Sequence, residues 1–239
     1  MSGNGRRSAM RRKSRETEVL VDLELDPASV FVEVDTGIGF LDHLITSLAT
    51  HSGWGLRLAC RGDLEVDDHH SAEDCAIALG ETFARALMAG GKSARFGSAY
   101  APLDEALARA VVDLSGRAYC RADLGLGGAR LGDLSGEMVG HFLWSLAQAA
   151  KMTLHVDVLA GENAHHKAEA SFKALALALR QASALPAAAA IGTGSKGGVS
   201  SQDAGECAGE STKGAVLLEE IDPALWASLA SNIKKADDD

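Results

Sequence analysis

A short motif, His-His-x-x-Glu, occurs twice in the chain and constrains its fold more than any other feature. The copies are His69-His70-Ser71-Ala72-Glu73 and His165-His166-Lys167-Ala168-Glu169. After each copy, apolar residues recur at the i, i+3, i+4 and i+7 spacing of an amphipathic helix. The pattern therefore predicts that each motif stands at or just before the N-terminus of a helix.

The residue types in the motif suit metal binding, because imidazole and carboxylate are ligands of borderline divalent metal ions. A Glu three or four residues after a His lies on the same face of a helix and can share an ion with it. Adjacent histidines diverge by about 100° in a helix. We therefore expect His69 and His70 to serve two different metal ions, or one ion and one structural partner. A single pair could equally be a solvated loop, but its repetition disfavours that interpretation.

The repetition extends upstream of both motifs. A histidine in a helical pattern precedes each pair, His43 in one case and His141 in the other, and a strand-like run follows each of these helices, at 56–60 and 154–158. This indicates an internal duplication of roughly 100 residues. The residues in equivalent places suffice for two ions with three imidazoles and one carboxylate each. They are His43, His69, His70, Glu73, His141, His165, His166 and Glu169.

Each half reads as strand, strand, helix, strand, helix. The pattern predicts an α+β fold with two similar halves, each a sheet covered by helices on one face. Residues 1–13 are polar and basic and are predicted to be disordered. The first repeat is expected at 14–100, the second at 101–185, and a flexible Ala/Gly/Ser-rich segment at 186–239.

Local signals give three further predictions. Pro102 to Glu105 reads as the start of a short helix, and Arg117 to Leu124 as the hairpin partner of a strand at Val111 to Leu114. A C-terminal helix is expected to begin with Asp222 as N-cap and Pro223 in its first turn. Its apolar face is predicted to be Leu225, Leu229 and Ile233.

Composition and charge exclude several classes of protein. The net charge of −10 disfavours nonspecific nucleic-acid binding. The apolar runs are shorter than the ~18 residues that span a bilayer. The cysteines are widely spaced, as in a reduced intracellular protein. Since the N-terminus has no apolar signal-peptide region, we expect a cytoplasmic protein; a plastid location is possible but not indicated.

Five segments together resemble the imidazoleglycerol-phosphate dehydratases of histidine biosynthesis. The resemblance implies dehydration of imidazole glycerol phosphate to imidazole acetol phosphate, two Mn²⁺ ions per site, and a 24-subunit shell with sites between subunits. It assigns as metal ligands the same eight residues that the duplication singles out. The segments are Thr36-Gly37-Ile38-Gly39-Phe40-Leu41-Asp42-His43, Asp67-Asp68-His69-His70-Ser71-Ala72-Glu73-Asp74, Pro102-Leu103-Asp104-Glu105-Ala106-Leu107, Asp113-Leu114-Ser115-Gly116-Arg117 and Leu159-Ala160-Gly161-Glu162-Asn163-Ala164-His165-His166.

The resemblance also implies roles for residues outside the ligand set. Glu16 is the candidate general acid or base. His51 is expected to approach the substrate. The expected contacts to the substrate phosphate are Arg95, Arg117, Lys173, Ser211 and Lys213, the last two forming a phosphate-binding loop in the C-terminal segment.

The chain departs from the family pattern at two places. Ser47 stands where a Gln of the phosphate site is expected. The segment before Ser211 is longer than usual and contains a second Ser-Lys-Gly stretch, at Ser195 and Lys196. His155, within a strand pattern, is expected to be structural.

The ligand set alone leaves two other functions open. A metallohydrolase could use two metal ions to activate water, and phosphatase activity would reveal it. A non-catalytic shell could use metal only to join subunits. Glu16 and the phosphate-binding cations favour the dehydratase over both.

Overall fold

The computed structural model of the chain describes residues 5–185 and 215–235, the last three by backbone alone. The predicted phosphate-binding loop with Ser211 and Lys213, and the alternative stretch with Ser195 and Lys196, lie outside these residues.

The two halves have the same order of elements. The first consists of β1 (Arg7–Lys13), β2 (Thr17–Glu24), β3 (Val32–Asp35), α1 (Gly39–Ser52), β4 (Gly55–Gly62) and α2 (His69–Ala89). The second consists of β5 (Phe96–Leu103), β6 (Ala106–Asp113), β7 (Tyr119–Asp123), the short pair β8 (Arg130–Leu131) and β9 (Leu134–Ser135), α3 (Gly136–Ala149), β10 (Thr153–Ala160) and α4 (Ala164–Ser183). After the segment that is not described come β11 (Leu217–Glu220), a 3₁₀ turn (Pro223–Leu225) and α5 (Trp226–Lys235).

The strand order is also the same in both sheets. It is β1-β2-β4-β3 in the first sheet and β5-β6-β10-β7 in the second, with β11 added beside β1. In each sheet the last two strands run parallel. A parallel pair requires a crossover connection, and α1 and α3 provide it. The predicted α+β fold with an internal duplication is confirmed.

The four long helices lie between the two sheets. α2 packs on the first sheet and α4 on the second, while α2 pairs with α3 and α4 with α1. Their apolar side chains and those of both sheets form one continuous core. The α2–α3 contact is close, since a Cβ on Gly80 would lie 2.7 Å from the carbonyl oxygen of Leu146. The shared core therefore makes one body of the two halves.

The N-terminal segment is folded, so the prediction of disorder is wrong for Arg7–Lys13. This stretch is strand β1, and Ala9 and Met10 are buried. Its arginines have acidic partners: Arg12 lies 3.0 Å from Asp74, and both side chains are buried. The composition misled because the positive charges are paired across the fold instead of solvated.

Two local predictions in the second half are also wrong. The residues after Pro102 do not begin a helix, because β5 runs on to Leu103 and turns at Asp104, whose φ is 48°. β5 also crosses the expected boundary between residues 100 and 101. β7 does not pair with β6 but lies parallel to β10. The alternation of a strand identifies its buried face, whereas the crossover helix decides its partner.

The C-terminal helix begins as predicted, and of its predicted apolar face Leu229 packs against the first sheet whereas Leu225 does not. Asp222 accepts a hydrogen bond from the backbone N–H of Ala224 at 2.9 Å. Trp226 is buried against Leu20 on the outer face of the first sheet, whereas Leu225 is 54% exposed. The opening 3₁₀ turn has 3.0 residues per turn and so changes the phase of the apolar stripe. The side chain of Ile233 lies outside the described residues.

None of the helices within residues 5–185 and 215–235 is long and apolar enough to cross a membrane.

Candidate metal centre

One cluster of candidate ligands, here called cluster 1, joins helices α1 and α4. His43 Nε2 lies 3.0 Å from Glu169 Oε2, and His165 Nε2 lies 3.1 Å from the same oxygen. His165 and Glu169 are one helical turn apart, so both project from one face of α4. Cluster 1 therefore gathers two imidazoles and a carboxylate around one point.

A second cluster, here called cluster 2, joins helices α2 and α3. His141 Nε2 lies 3.2 Å from Glu73 Oε1, and the rings of His69 and His141 are 4.9 Å apart. His69 and Glu73 have the same i, i+4 spacing as the pair on α4. In each cluster the candidate ligand atoms lie within 4.8 Å of one another.

The two clusters are built alike, and each crosses between the halves. A crossover helix of one half supplies a single histidine, from α1 or α3. The helix that carries the motif in the other half supplies the first histidine of the pair and the glutamate. Because the halves share one core, these side chains from distant parts of the chain converge.

Side-chain hydrogen bonds to backbone N–H groups stabilise the beginning of both motif helices. The Asn163 side chain accepts hydrogen bonds from the backbone N–H groups of His165 and His166, at 2.9 and 3.3 Å. Asp67 accepts one from the N–H of His69 at 2.8 Å. The prediction that each motif opens a helix is confirmed.

The second histidine of each pair is oriented differently from the first and lies outside the cluster that contains the first. The rings of His69 and His70 are inclined at 78°, and those of His165 and His166 at 85°. Neither His70 nor His166 belongs to the two candidate clusters found among the described residues. The expected divergence of the paired histidines is therefore present.

Each of these outward histidines is held by a carboxylate through Nδ1. His70 Nδ1 lies 3.0 Å from one oxygen of Asp63 and 3.1 Å from the other. His166 Nδ1 lies 2.7 Å from Glu105 Oε2. Glu105 and Asp63 come from different elements, the β5–β6 turn and the end of β4.

Hydrogen bonds keep two of the carboxylates ionised. Those from the backbone N–H of Asn163 and from His166 lower the pKa of Glu105 to about 2. Burial opposes ionisation of Glu169, but hydrogen bonds from Lys173 and His43 outweigh it and lower its pKa to about 2. Glu169 is therefore ionised at neutral pH, which is the form of a carboxylate that binds a metal ion.

The donor set of both clusters fits a divalent metal ion. Two ligands at right angles, each about 2.1 Å from an ion, are about 3 Å apart, which matches the nitrogen-to-oxygen distances above. Two imidazoles and a carboxylate suit manganese, iron, cobalt or zinc. Three protein ligands also leave coordination positions open for further groups.

Glu16 lies beside His70, in the turn between β1 and β2. Its Oε2 is 3.8 Å from His70 Nε2, and its side chain is only 11% exposed. That oxygen is buried and has no hydrogen-bond partner within residues 5–185 and 215–235. A cleft of about 360 Å³ runs past it and is also lined by Asp63, Arg15 and Arg61. Glu16 thus has a free oxygen at a cleft next to a candidate metal ligand.

The cations expected to contact phosphate fall in two places within one chain. Arg95 binds Asp113 with two hydrogen bonds, at 2.7 and 3.2 Å, and the charge of Arg117 also acts on Asp113. Lys173 instead donates to Glu169 of cluster 1 at 2.8 Å. The Arg95 backbone N–H binds the carbonyl of Ala182, nine residues beyond Lys173 or about 14 Å along α4. A single chain does not bring these cations together.

The other singled-out residues have varied surroundings. His51 is exposed in the last turn of α1. Ser47, on the same helix, is buried, and its hydroxyl has no hydrogen-bond partner within the described residues. His155 lies 5.4 Å from the ring of Tyr119, a packing contact between neighbouring strands.

The sequence reasoning missed the carboxylates that support the site. Glu105 could have been found, because it belongs to an acidic turn in a segment that carries the family resemblance. Asp63 has no comparable local signal. The buried ion pair of Arg12 and Asp74 could not be predicted, because the two residues lie far apart in the sequence.

Comparisons with known proteins agree with this geometry. A family model described as imidazoleglycerol-phosphate dehydratase matches residues 36–179. An imidazoleglycerol-phosphate dehydratase of Trichoderma harzianum is 62% identical over 152 residues, which are 64% of this chain and 73% of the relative. One of Saccharomyces cerevisiae is 56% identical over 167 residues, 70% of this chain and 76% of the relative.

Solved structures of the same family have the same fold. The crystal structure of the Pyrococcus furiosus protein is 37% identical with a TM-score of 0.63, covering 73% of this chain and 93% of that chain. The Staphylococcus aureus structure is 35% identical with a TM-score of 0.64, covering 72% and 97%. From the family model, the close relatives and the shared fold, we conclude that this chain belongs to the imidazoleglycerol-phosphate dehydratase family, the hydro-lyases of histidine biosynthesis.

Proposed function

We propose that the chain dehydrates D-erythro-imidazole glycerol phosphate to imidazole acetol phosphate at a site that holds two Mn²⁺ ions. One observation carries the proposal: two equivalent His₂Glu clusters occur in a chain that also holds, beside a further histidine, Glu16, whose buried Oε2 has no hydrogen-bond partner among the described residues. Family membership favours this reaction over the hydrolase and the non-catalytic shell.

The eight candidate ligands divide naturally into two kinds. Clusters 1 and 2 supply six of them from within one chain. His70 and His166 belong to neither cluster and bind other carboxylates, so we infer that each completes a metal site on another copy of the chain. This supports an assembly with sites between subunits, which we propose to be a 24-subunit shell in the cytoplasm.

The reaction removes the hydroxyl from the carbon attached to the imidazole ring of the substrate and a weakly acidic proton from the next carbon. The histidines and glutamates of clusters 1 and 2 would hold metal ions that act as Lewis acids near the imidazole ring, stabilise the charge that develops on it, and so help the hydroxyl of the attached carbon to leave. Glu16 takes the proton through Oε2, which accepts no hydrogen bond within residues 5–185 and 215–235. The hydroxyl of the ring-attached carbon leaves with a proton as water, and the resulting enol tautomerises to the ketone at the carbon that lost its proton.

Cations hold the substrate by its phosphate. We propose Arg95, Arg117, Lys173, Ser211 and Lys213 for this role, with His51 approaching the substrate. Guanidinium groups suit it because they bind phosphate oxygens in pairs. Since Arg95 and Lys173 lie apart within one chain, more than one copy must contribute to a single phosphate site.

The proposal is tested by assaying metal-stripped protein for turnover of imidazole glycerol phosphate, before and after Mn²⁺ is added. We expect no turnover without metal and full turnover with Mn²⁺. Phosphate release is measured in the same samples, because a hydrolase would liberate it. Assembled, Mn²⁺-loaded protein that fails to dehydrate this substrate would overturn the proposal.

A further inference from the structure

We propose that Asp63 and Glu105 are positioning residues that fix the proton of His70 and of His166 on Nδ1, so that Nε2 of each ring binds the metal ion. The inference rests on the metal binding proposed above. It goes further by naming the binding nitrogen and the groups that select it.

Hydrogen-bond geometry supports this tautomer in both halves. An ionised carboxylate can only accept a hydrogen bond, so the Nδ1 atoms at 3.0 Å from Asp63 and 2.7 Å from Glu105 must carry protons. In a neutral imidazole the other nitrogen then has its lone pair free. A carboxylate on the remote nitrogen also orients the ring and raises its basicity as a ligand.

The duplication gives an independent reason to assign different roles to two glutamates. Glu16 directly precedes β2 and Glu105 directly precedes β6, so both occupy the first hairpin turn of their repeat. Both also lie beside the second histidine of the motif, His70 in one half and His166 in the other. The two glutamates are therefore counterparts in the two halves.

Their hydrogen bonding is opposite. Glu105 Oε1 accepts from the backbone N–H groups of Glu162 and Asn163, at 3.2 and 2.9 Å, and its Oε2 accepts from His166. Both oxygens are thus engaged, which leaves Glu105 suited to hold a ring and unsuited to move a proton. Glu16 keeps one oxygen free.

In the first half, Asp63 holds Nδ1 of His70, as Glu105 holds Nδ1 of His166 in the second half. The backbone N–H of Asp63 donates to the carbonyl oxygen of Glu16 at 3.2 Å, which holds the two residues side by side. Asp63 accepts a hydrogen bond from His70 Nδ1, while Glu16 lies near Nε2 of the same ring. Glu16 is thereby released from positioning and remains available to the substrate.

Mn²⁺ affinity of the full-length, metal-stripped protein tests the inference, with free Mn²⁺ measured by electron paramagnetic resonance. We expect Asp63→Ala and Glu105→Ala to weaken binding about 10- to 100-fold. Asp63→Asn should be intermediate, because its amide oxygen still accepts the Nδ1 proton without a charge. Asp123→Ala removes an exposed carboxylate that binds Arg121 and should leave the affinity unchanged.

A double-mutant cycle separates positioning from a general loss of structure. If Asp63 acts through His70, Asp63→Ala should cause no further loss of Mn²⁺ affinity in a protein that already carries His70→Ala. An equal loss in both backgrounds, or wild-type affinity in Asp63→Ala, would overturn the inference.

The wild-type protein separates this inference from the proposed function. Wild-type protein that binds Mn²⁺ but does not dehydrate the substrate would overturn the proposed function. The double-mutant cycle would still show whether Asp63 positions His70. Wild-type protein that binds no Mn²⁺ would overturn both.

Discussion

A residue's role in this chain depends on which of its atoms are already bound, as the two counterpart glutamates show. Glu16→Gln should lower kcat about 10²- to 10⁴-fold, because an amide cannot accept the proton. Mn²⁺ content and particle size should stay unchanged, since no metal ligand is altered. Steady-state kinetics, metal analysis and light scattering measure the three quantities.

Glu18→Gln provides the matched control, because Glu18 lines the same cleft but its two oxygens are bound by Arg11 and Lys13. It should retain turnover. Wild-type kcat in Glu16→Gln would remove Glu16 from the reaction.

The buried pair of Arg12 and Asp74 is a second feature at this scale, and it anchors strand β1 to helix α2. Asp74→Asn removes the carboxylate charge to which the buried Arg12 guanidinium donates a hydrogen bond and should destabilise the protein by about 3–5 kcal/mol. Urea unfolding measures the loss. Asp123→Asn breaks only an exposed pair and should cost about 0–1 kcal/mol. Equal losses would show that Arg12 is solvated and that Asp74 has no anchoring role.

The sequence predicted the cluster residues well, because each cluster contains a His and a Glu one turn apart on a helix. Such a pair is visible in the sequence once the helix is recognised. Asp63 and Glu105 could not be found in this way. They lie 7 and 61 residues from the histidines they hold, and turns of the backbone bring them there.

At the scale of whole elements, the closest contact between helices is a point of vulnerability. Gly80→Ala places a methyl group 2.7 Å from the Leu146 carbonyl and 2.8 Å from the Cβ of Ala149. Since α2 and α3 must then move apart, we expect a loss of about 1–3 kcal/mol, measured as a lower Tm.

Gly140→Ala is the control for the intrinsic effect of the substitution. Gly140 lies within helix α3, and among the described residues no atom outside its own stretch of helix lies within 4 Å of the position of a Cβ there. Because Ala favours a helix over Gly by about 1 kcal/mol, this variant should keep or raise the Tm. A higher Tm in Gly80→Ala as well would mean that the helices tolerate the extra methyl group.

The helices were predictable as elements, whereas the strands were predictable only in part. The 3.6-residue period identified α1, α2, α3 and α4, because each buries one apolar face between the sheets. Alternation also indicated β2, β4 and β10. The partner of β7 could not be read from its sequence, since a crossover helix sets it. β1 was missed because its charged side chains find partners only in the folded chain.

At the scale of the whole molecule, the outward histidines predict complementation between defective chains. His43→Ala disrupts cluster 1 but retains His70 and His166. A variant with His70→Ala and His166→Ala retains both clusters. Neither should dehydrate the substrate alone, but particles assembled from both should regain part of the activity, because one chain supplies the clusters and the other supplies the outward histidines.

The measurement is turnover after the two variants are unfolded, mixed and refolded together, beside each variant refolded alone. Mixed particles as inactive as the separate variants would show that each site draws all its ligands from one chain.

The internal duplication was visible in the sequence, and it predicted that the chain has two halves with the same fold. Their union in one core was not predictable, because it depends on close helix contacts such as that at Gly80.

The way each cluster crosses between the halves has a consequence for the history of the chain. A half-length ancestor would have carried one crossover histidine and one motif, and alone it could assemble neither cluster. Two such chains packed as a symmetric dimer would have built both at once. After fusion the two copies could diverge. One glutamate of the ancestral pair, Glu105, then held a histidine ring in place, while the other, Glu16, remained available for chemistry.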